Sequence, residues 1–142
     1  MSSFQTTRSG EWYWLGLFGY LLACLLGLGF VLGLFFLDVS PLGIGLVAVG
    51  VTILLTLASL LALPTLALDG RALAADATAA WHPKWWRYLL GAGALPALAF
   101  VGSDLLVSVR LATLVAGLGL IVGTCLASGV YLYTRHERVG VP

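Results

Sequence analysis

Polar and apolar positions along this chain fall into blocks rather than alternating. Four stretches carry no charged residue: Trp12 to Leu37, Val39 to Leu68, Tyr88 to Ser103 and Leu111 to Thr134. A helical bilayer crossing takes about 20 apolar residues, and a charge at its centre costs about 3 kcal/mol. The blocks therefore predict an all-α, polytopic membrane protein, one domain of four transmembrane helices arranged as two antiparallel hairpins. The expected spans are about 12–37, 41–68, 84–102 and 105–134, with a loop at 69–83.

The block edges predict how the helices begin and end. Asp38-Val39-Ser40-Pro41 and Gly102-Ser103-Asp104 are short enough to make tight helical hairpins. Pro41 suits the first turn of helix two, capped by Ser40 or Asp38. Gly102 is expected to end helix three, and Ser103 or Asp104 to cap helix four. Arg110 then lies inside helix four, reaching outward to the headgroups and toward Asp104. The third block would rise only about 24 Å, so its helix is expected to start earlier, with Pro83 in the first turn. Pro96 and Pro64 should bend their helices, since each removes a backbone donor. In the loop, Asp69 is read as the cap of a short alanine-rich helix running toward Ala80, a plain connector.

Composition leaves little room for anything else. Of 142 residues, 61% are hydrophobic and 9% charged, and a separate soluble domain would need about 50 residues or more. The net charge of +1 shows none of the basic excess of a nucleic-acid footprint. Charge is informative through its distribution. Arg8, Arg71, Lys84, Arg87, Arg135 and Arg138 lie on one side of the spans and Arg110 on the other. By the positive-inside rule, both termini and the middle loop are cytoplasmic in a multi-pass protein of the cell membrane. A reporter fused to the C-terminus is thus expected to be active inside the cell, and activity confined to the outside would contradict the topology.

Two processing readings are weaker. A cleaved signal peptide has an apolar core of about 7 to 15 residues, whereas the first block runs on for 26. Leu21-Leu22-Ala23-Cys24 loosely resembles a lipoprotein cleavage box, yet Leu25 to Leu37 continues apolar where a mature lipoprotein turns polar. The first block is read as a retained anchor.

Candidate chemistry is sparse. Gly29 and Gly33, with Gly19, Ala23 and Gly27, and then Gly119, Gly123 and Ala127, recur at the spacing that lets membrane helices approach closely. They are expected to pack within the chain, with pairing of two chains through the Gly29 or Gly119 face as the alternative. Thr52, Thr56 and Ser59 share one face of helix two, and Thr124 and Ser128 one face of helix four. Such hydroxyls commonly bond the carbonyl one turn back, although a polar path is the sharper alternative. Trp81-His82-Pro83-Lys84-Trp85-Trp86-Arg87-Tyr88 reads as a headgroup belt. Its Trp81, Lys84, Trp85, Trp86, Arg87 and Tyr88 are the candidate contacts for lipid headgroups or a protein partner.

Cys24 and Cys125 fall inside spans, where free thiols act as small hydrophobes, and they lie at similar depths on helices one and four. His82 and His136 lie outside the spans and offer neither a four-ligand zinc set nor an intramembrane haem pair, so no cofactor is expected. Small four-helix multidrug carriers share this size and helix count, but their membrane-embedded glutamate has no counterpart in Trp12 to Leu37. Span centres lack the ionisable residue that coupled transport usually places there. No nucleophile sits beside a base, so the expectation is a non-enzymatic protein.

The chain resembles a set of uncharacterised four-span membrane proteins from halophilic archaea. Trp12-Tyr13-Trp14, Leu68-Asp69-Gly70-Arg71, Trp81, Pro83, Trp86, Tyr88-Leu89-Leu90-Gly91, Tyr131-Leu132-Tyr133, Arg135-His136 and Val139-Gly140-Val141-Pro142 carry that likeness. It implies a membrane location and four helices, and brings no activity, cofactor or site. The expected role is a structural or accessory bundle that interacts with membrane lipid, another membrane protein or a second copy of itself. The alternative is a small transporter or channel subunit, which a continuous water-wide cavity past Thr52, Thr56 and Ser59 would favour.

Overall fold

Ser40 sets the start of the second helix, accepting a hydrogen bond from the Gly43 N–H at 3.2 Å while Pro41 occupies the first turn. Around it, the computed structural model describes residues 11–37, 39–79, 81–106 and 108–139, in four helices. These are α1 (Glu11–Leu34), α2 (Pro41–Ala75), α3 (Trp85–Leu106) and α4 (Val109–Val139). All four are long and apolar enough to cross a membrane. Arg8, Asp38 as an alternative cap, Ala80, the side chain of Arg110 and the tail from Gly140 to Pro142 lie outside what is described.

Helix ends depart from the sequence reading in several places. Asp69 does not cap a loop helix, because α2 continues through it to Ala75. Arg71, Ala72, Leu73, Ala74 and Ala75 are strong helix formers, and Asp69 pairs with Arg135 of α4, which offsets part of the cost of burying its charge. α2 stops at Asp76, whose backbone is extended and whose carboxylate accepts from the Thr78 N–H (2.9 Å) and hydroxyl (2.6 Å). This local turn competes with the helix. The Thr78 hydroxyl, and then its N–H, hold the Asp76 carboxyl below the usual carboxylate range. A depressed folded-state value means the turn is reinforced above the ordinary aspartate range, and that support is lost as pH falls from there through the lower folded-state value.

The second hairpin also turns later than expected. Ser103 and Asp104 belong to the last turns of α3, and α4 follows Ser108, whose carbonyl accepts from the Ala112 N–H at 2.9 Å. Leu105 and Leu106 extend the apolar run and carry the helix past the expected break. Pro83 is buried just ahead of α3 rather than in its first turn.

Side-chain burial is uneven along the bundle. Leu17, Tyr20 and Cys24 of α1, Ala62 and Leu66 of α2, and Tyr131 of α4 form one core, with Trp81, Tyr88 and Leu89 packed against it. These residues collect toward the end that carries the α2–α3 connection, here called the basic end. Toward the hairpin end most large side chains face outward, among them Leu28, Phe30, Leu42, Leu46 and Leu105, although Ala112 is buried. α3 packs on α4 and α1 on α2, while α4 also meets α2 and α1; α1 and α3 do not touch among the described residues.

Two glycine sites show how the helices approach. Pro96 cannot donate to the Ala92 carbonyl one turn back, and that oxygen is turned toward Gly123, where a Cβ would fall only 2.6 Å away. A Cβ on Gly119 would lie 3.1 Å from the Cα of Pro96. The proline therefore forms the helix crossing. Gly119 and Gly123 pack within the chain, as read from spacing, whereas Gly19, Gly29 and Gly33 do not: each has open space where a Cβ would stand. Gly27 meets Val51 and Leu55 of α2.

Candidate functional site

The basic end holds an ionic cluster that spacing did not predict. Ser59, Ala62, Leu66 and Asp69 follow one another at steps of three and four along α2, so they share a face, and all are buried. On α4, Thr124, Ser128, Tyr131 and Arg135 do the same. Where these faces meet, the Tyr131 hydroxyl donates to Asp69 Oδ2 at 2.6 Å, and Arg135 Nε lies 3.2 Å from that same oxygen. Asp69 is 1% exposed and Arg135 6%. The guanidinium approaches off its N–H axis, so Nε makes an ion pair without an aligned hydrogen bond, and among the described residues Nη1 has no hydrogen-bond partner.

Aromatic rings close the cluster. Trp81 and Tyr88 pack on Tyr131 with centroids 5.7 and 5.2 Å away, the second edge to face. The Arg135 guanidinium lies 5.9 Å from the centroid of Trp14, within the range of a cation–π contact. Three helices and the end of the loop are thus tied to one carboxylate. From Pro41 to Asp69 the helix rises about 42 Å, well beyond the ~30 Å of a hydrocarbon core. The ion pair therefore belongs near a membrane boundary, where it ties helices together at far less cost than at mid-depth.

The predicted belt divides. Trp81 and Tyr88 face inward to Tyr131, and Trp85 is seated against Gly70 with the Arg71 guanidinium 5.2 Å from its ring. Lys84, Trp86 and Arg87 remain exposed, and Arg87 lies 5.5 Å from the Trp86 ring. The motif read as one surface is half clamp and half surface.

The hydroxyls also divide. Thr52, Thr56 and Ser59 donate to the carbonyls of Ala48, Thr52 and Leu55 at 2.7 to 2.8 Å, the local bonding expected. With its own proton so engaged, Ser59 accepts from Tyr20 at 2.7 Å, and the Tyr20 hydroxyl also faces the Ile121 carbonyl at 3.3 Å. This links α1, α2 and α4 midway along the bundle. Thr124 and Ser128 depart from the expectation: both are fully buried, and neither hydroxyl has a hydrogen-bond partner among the described residues. Their small volume is what lets α4 sit close to its neighbours.

Beyond the Tyr20 crossing lies a cavity of about 420 Å³. Ala48, Val51, Thr52 and Leu55 form its α2 wall, and Cys24 and Cys125 lie at the end nearest Tyr20. Both cysteines are free, and the similar depth read from sequence places them on the lining of one cavity. Thr56 and Ser59 do not line the cavity. No cluster of three or more potential metal ligands occurs among the described residues.

Compared with known proteins, the chain matches no family model, no curated protein and no solved structure. Its functional reading therefore rests on its own chemistry.

Proposed function

We propose that this four-helix chain is a non-enzymatic accessory protein of the cell membrane, both termini cytoplasmic, whose basic end engages anionic lipid headgroups or an acidic face of another membrane protein. Its likeness to four-span proteins of halophilic archaea accords with that location. The observation that carries the reading is the divided belt: inward packing of Trp81, Trp85 and Tyr88 holds Lys84, Trp86 and Arg87 outward on a fixed frame. Cations there attract anionic headgroups by about 1 kcal/mol each, and tryptophan favours the same depth.

The transporter alternative needs an unbroken polar path. Local bonding of Thr52 and Thr56, and closure of Ser59 beneath Tyr20, argue against one along α2. Replacing Lys84 and Arg87 together by glutamine is expected to lower co-purification of anionic lipid in mild detergent several-fold, with the bundle intact by thermal unfolding. Unchanged lipid retention would reject the headgroup site.

A further inference from the structure

Among the described features, the cavity beyond Tyr20 is not absorbed by the basic-end reading. α1 and α4 are drawn together where Tyr20 meets Ile121, and one turn farther along each helix Cys24 and Cys125 line the cavity. Farther toward the hairpin end their facing residues part: Leu25 and Leu28 on α1, and Leu118 and Val122 on α4, line the cavity and are each more than half exposed. On α2, by contrast, Ala48, Val51, Thr52 and Leu55 are half-buried. The cavity thus has its back to α2, its floor at the cysteines and a sideways mouth between α1 and α4.

That mouth lies within the membrane-spanning stretches, so whatever enters comes from the hydrocarbon layer. The lining contains no charge, and its Thr52 hydroxyl has its proton on the Ala48 carbonyl. A free fatty acid would bring a carboxylate with no cation to meet it. A dry cavity of about 150 Å³ accommodates benzene, and by the same ratio 420 Å³ has room for about 17 carbon atoms. We propose that the groove between α1, α2 and α4 is a binding site for one hydrocarbon tail of a membrane lipid, inserted sideways from the hairpin-end leaflet with its tip against Cys24 and Cys125.

The site is independent of the basic end and is tested without anionic lipid. The protein is reconstituted in zwitterionic phosphatidylcholine containing a trace of the same lipid with a diazirine at the end of one acyl chain, photolysed, and its adducts mapped by mass spectrometry. Adducts should concentrate on Cys24, Val51, Cys125 and their lining neighbours. Ala48→Phe, which fills the back wall, should lower them at least fivefold, while Leu60→Phe on an exposed α2 position leaves them unchanged. Adducts spread evenly over exposed residues such as Leu42, Leu61 and Leu90 would overturn the site, as would an Ala48→Phe protein that labels like the parent. If Ala48→Phe fails to fold, Val51→Phe and the adduct map of the parent decide the matter. Loss of anionic-lipid retention in the Lys84 and Arg87 variant leaves this labelling untouched, so the two proposals fail separately.

Discussion

Asp69→Asn is expected to destabilise the folded bundle by about 3 kcal/mol, read as earlier unfolding in a heat or denaturing-detergent titration. Asparagine can still accept from the Tyr131 hydroxyl, so the loss isolates the charge. Arg135 is 6% exposed, and its guanidinium also lies 5.9 Å from the Trp14 ring. Without Asp69 its guanidinium stays buried and unpaired. Arg135→Met leaves the opposite orphan, a buried carboxylate with one hydrogen bond, and should cost a similar amount. The pair Asp69→Asn with Arg135→Met removes both charges, keeps an acceptor for the Tyr131 hydroxyl and should recover most of the loss, because a buried ion pair adds little over a neutral replacement of similar volume. Strictly additive effects in that cycle would show that the two side chains do not act as a pair.

Gly70→Ala should cost about 1 to 3 kcal/mol, the usual penalty for overpacking a close contact. A Cβ on Gly70 would overlap the Cβ of Trp85, with the Trp85 Cα 3.6 Å away. The obstacle is the root of the side chain, so rotating the indole gives no relief. Trp85→Ala keeps the obstructing atom, and the Gly70→Ala penalty should persist in that background. Trp85→Gly removes it, and the penalty should vanish there. Gly123→Ala meets the Ala92 carbonyl, a backbone atom, and should behave like Gly70→Ala. Gly29→Ala and Gly33→Ala have open space and serve as neutral controls. Equal unfolding midpoints for all four glycine variants would refute this account of the crossings.

These residues mark how far the sequence could be read. Gly70 looked like part of an alanine-rich connector, and Asp69 like the cap of a loop helix. The first charge after an uncharged block is a natural place to end a span, yet the face shared by Ser59, Ala62 and Leu66 continues to Asp69. Following that spacing past the charge, and the matching spacing from Thr124 to Arg135, was the signal available. It was weak, because the partners lie 66 residues apart in the chain. Gly29 and Gly119 carry the same small-residue pattern, and only the neighbouring helix distinguishes them.

Helix number and class were set by sequence alone. Hydropathy is a local property summed along about 20 residues, and a bilayer responds to that sum. The cap at Ser40 and the local bonding of Thr52, Thr56 and Ser59 were legible for the same reason, since each contact closes within one turn. Tertiary structure alone decided that Asp69 meets Arg135, that the belt splits into clamp and surface, and that the core gathers at one end and leaves a cavity beyond Tyr20. α1, α2 and α3 are apolar on nearly every side. In a membrane, lipid and protein neighbours ask for the same residues, so the pattern along a span cannot say which face meets which.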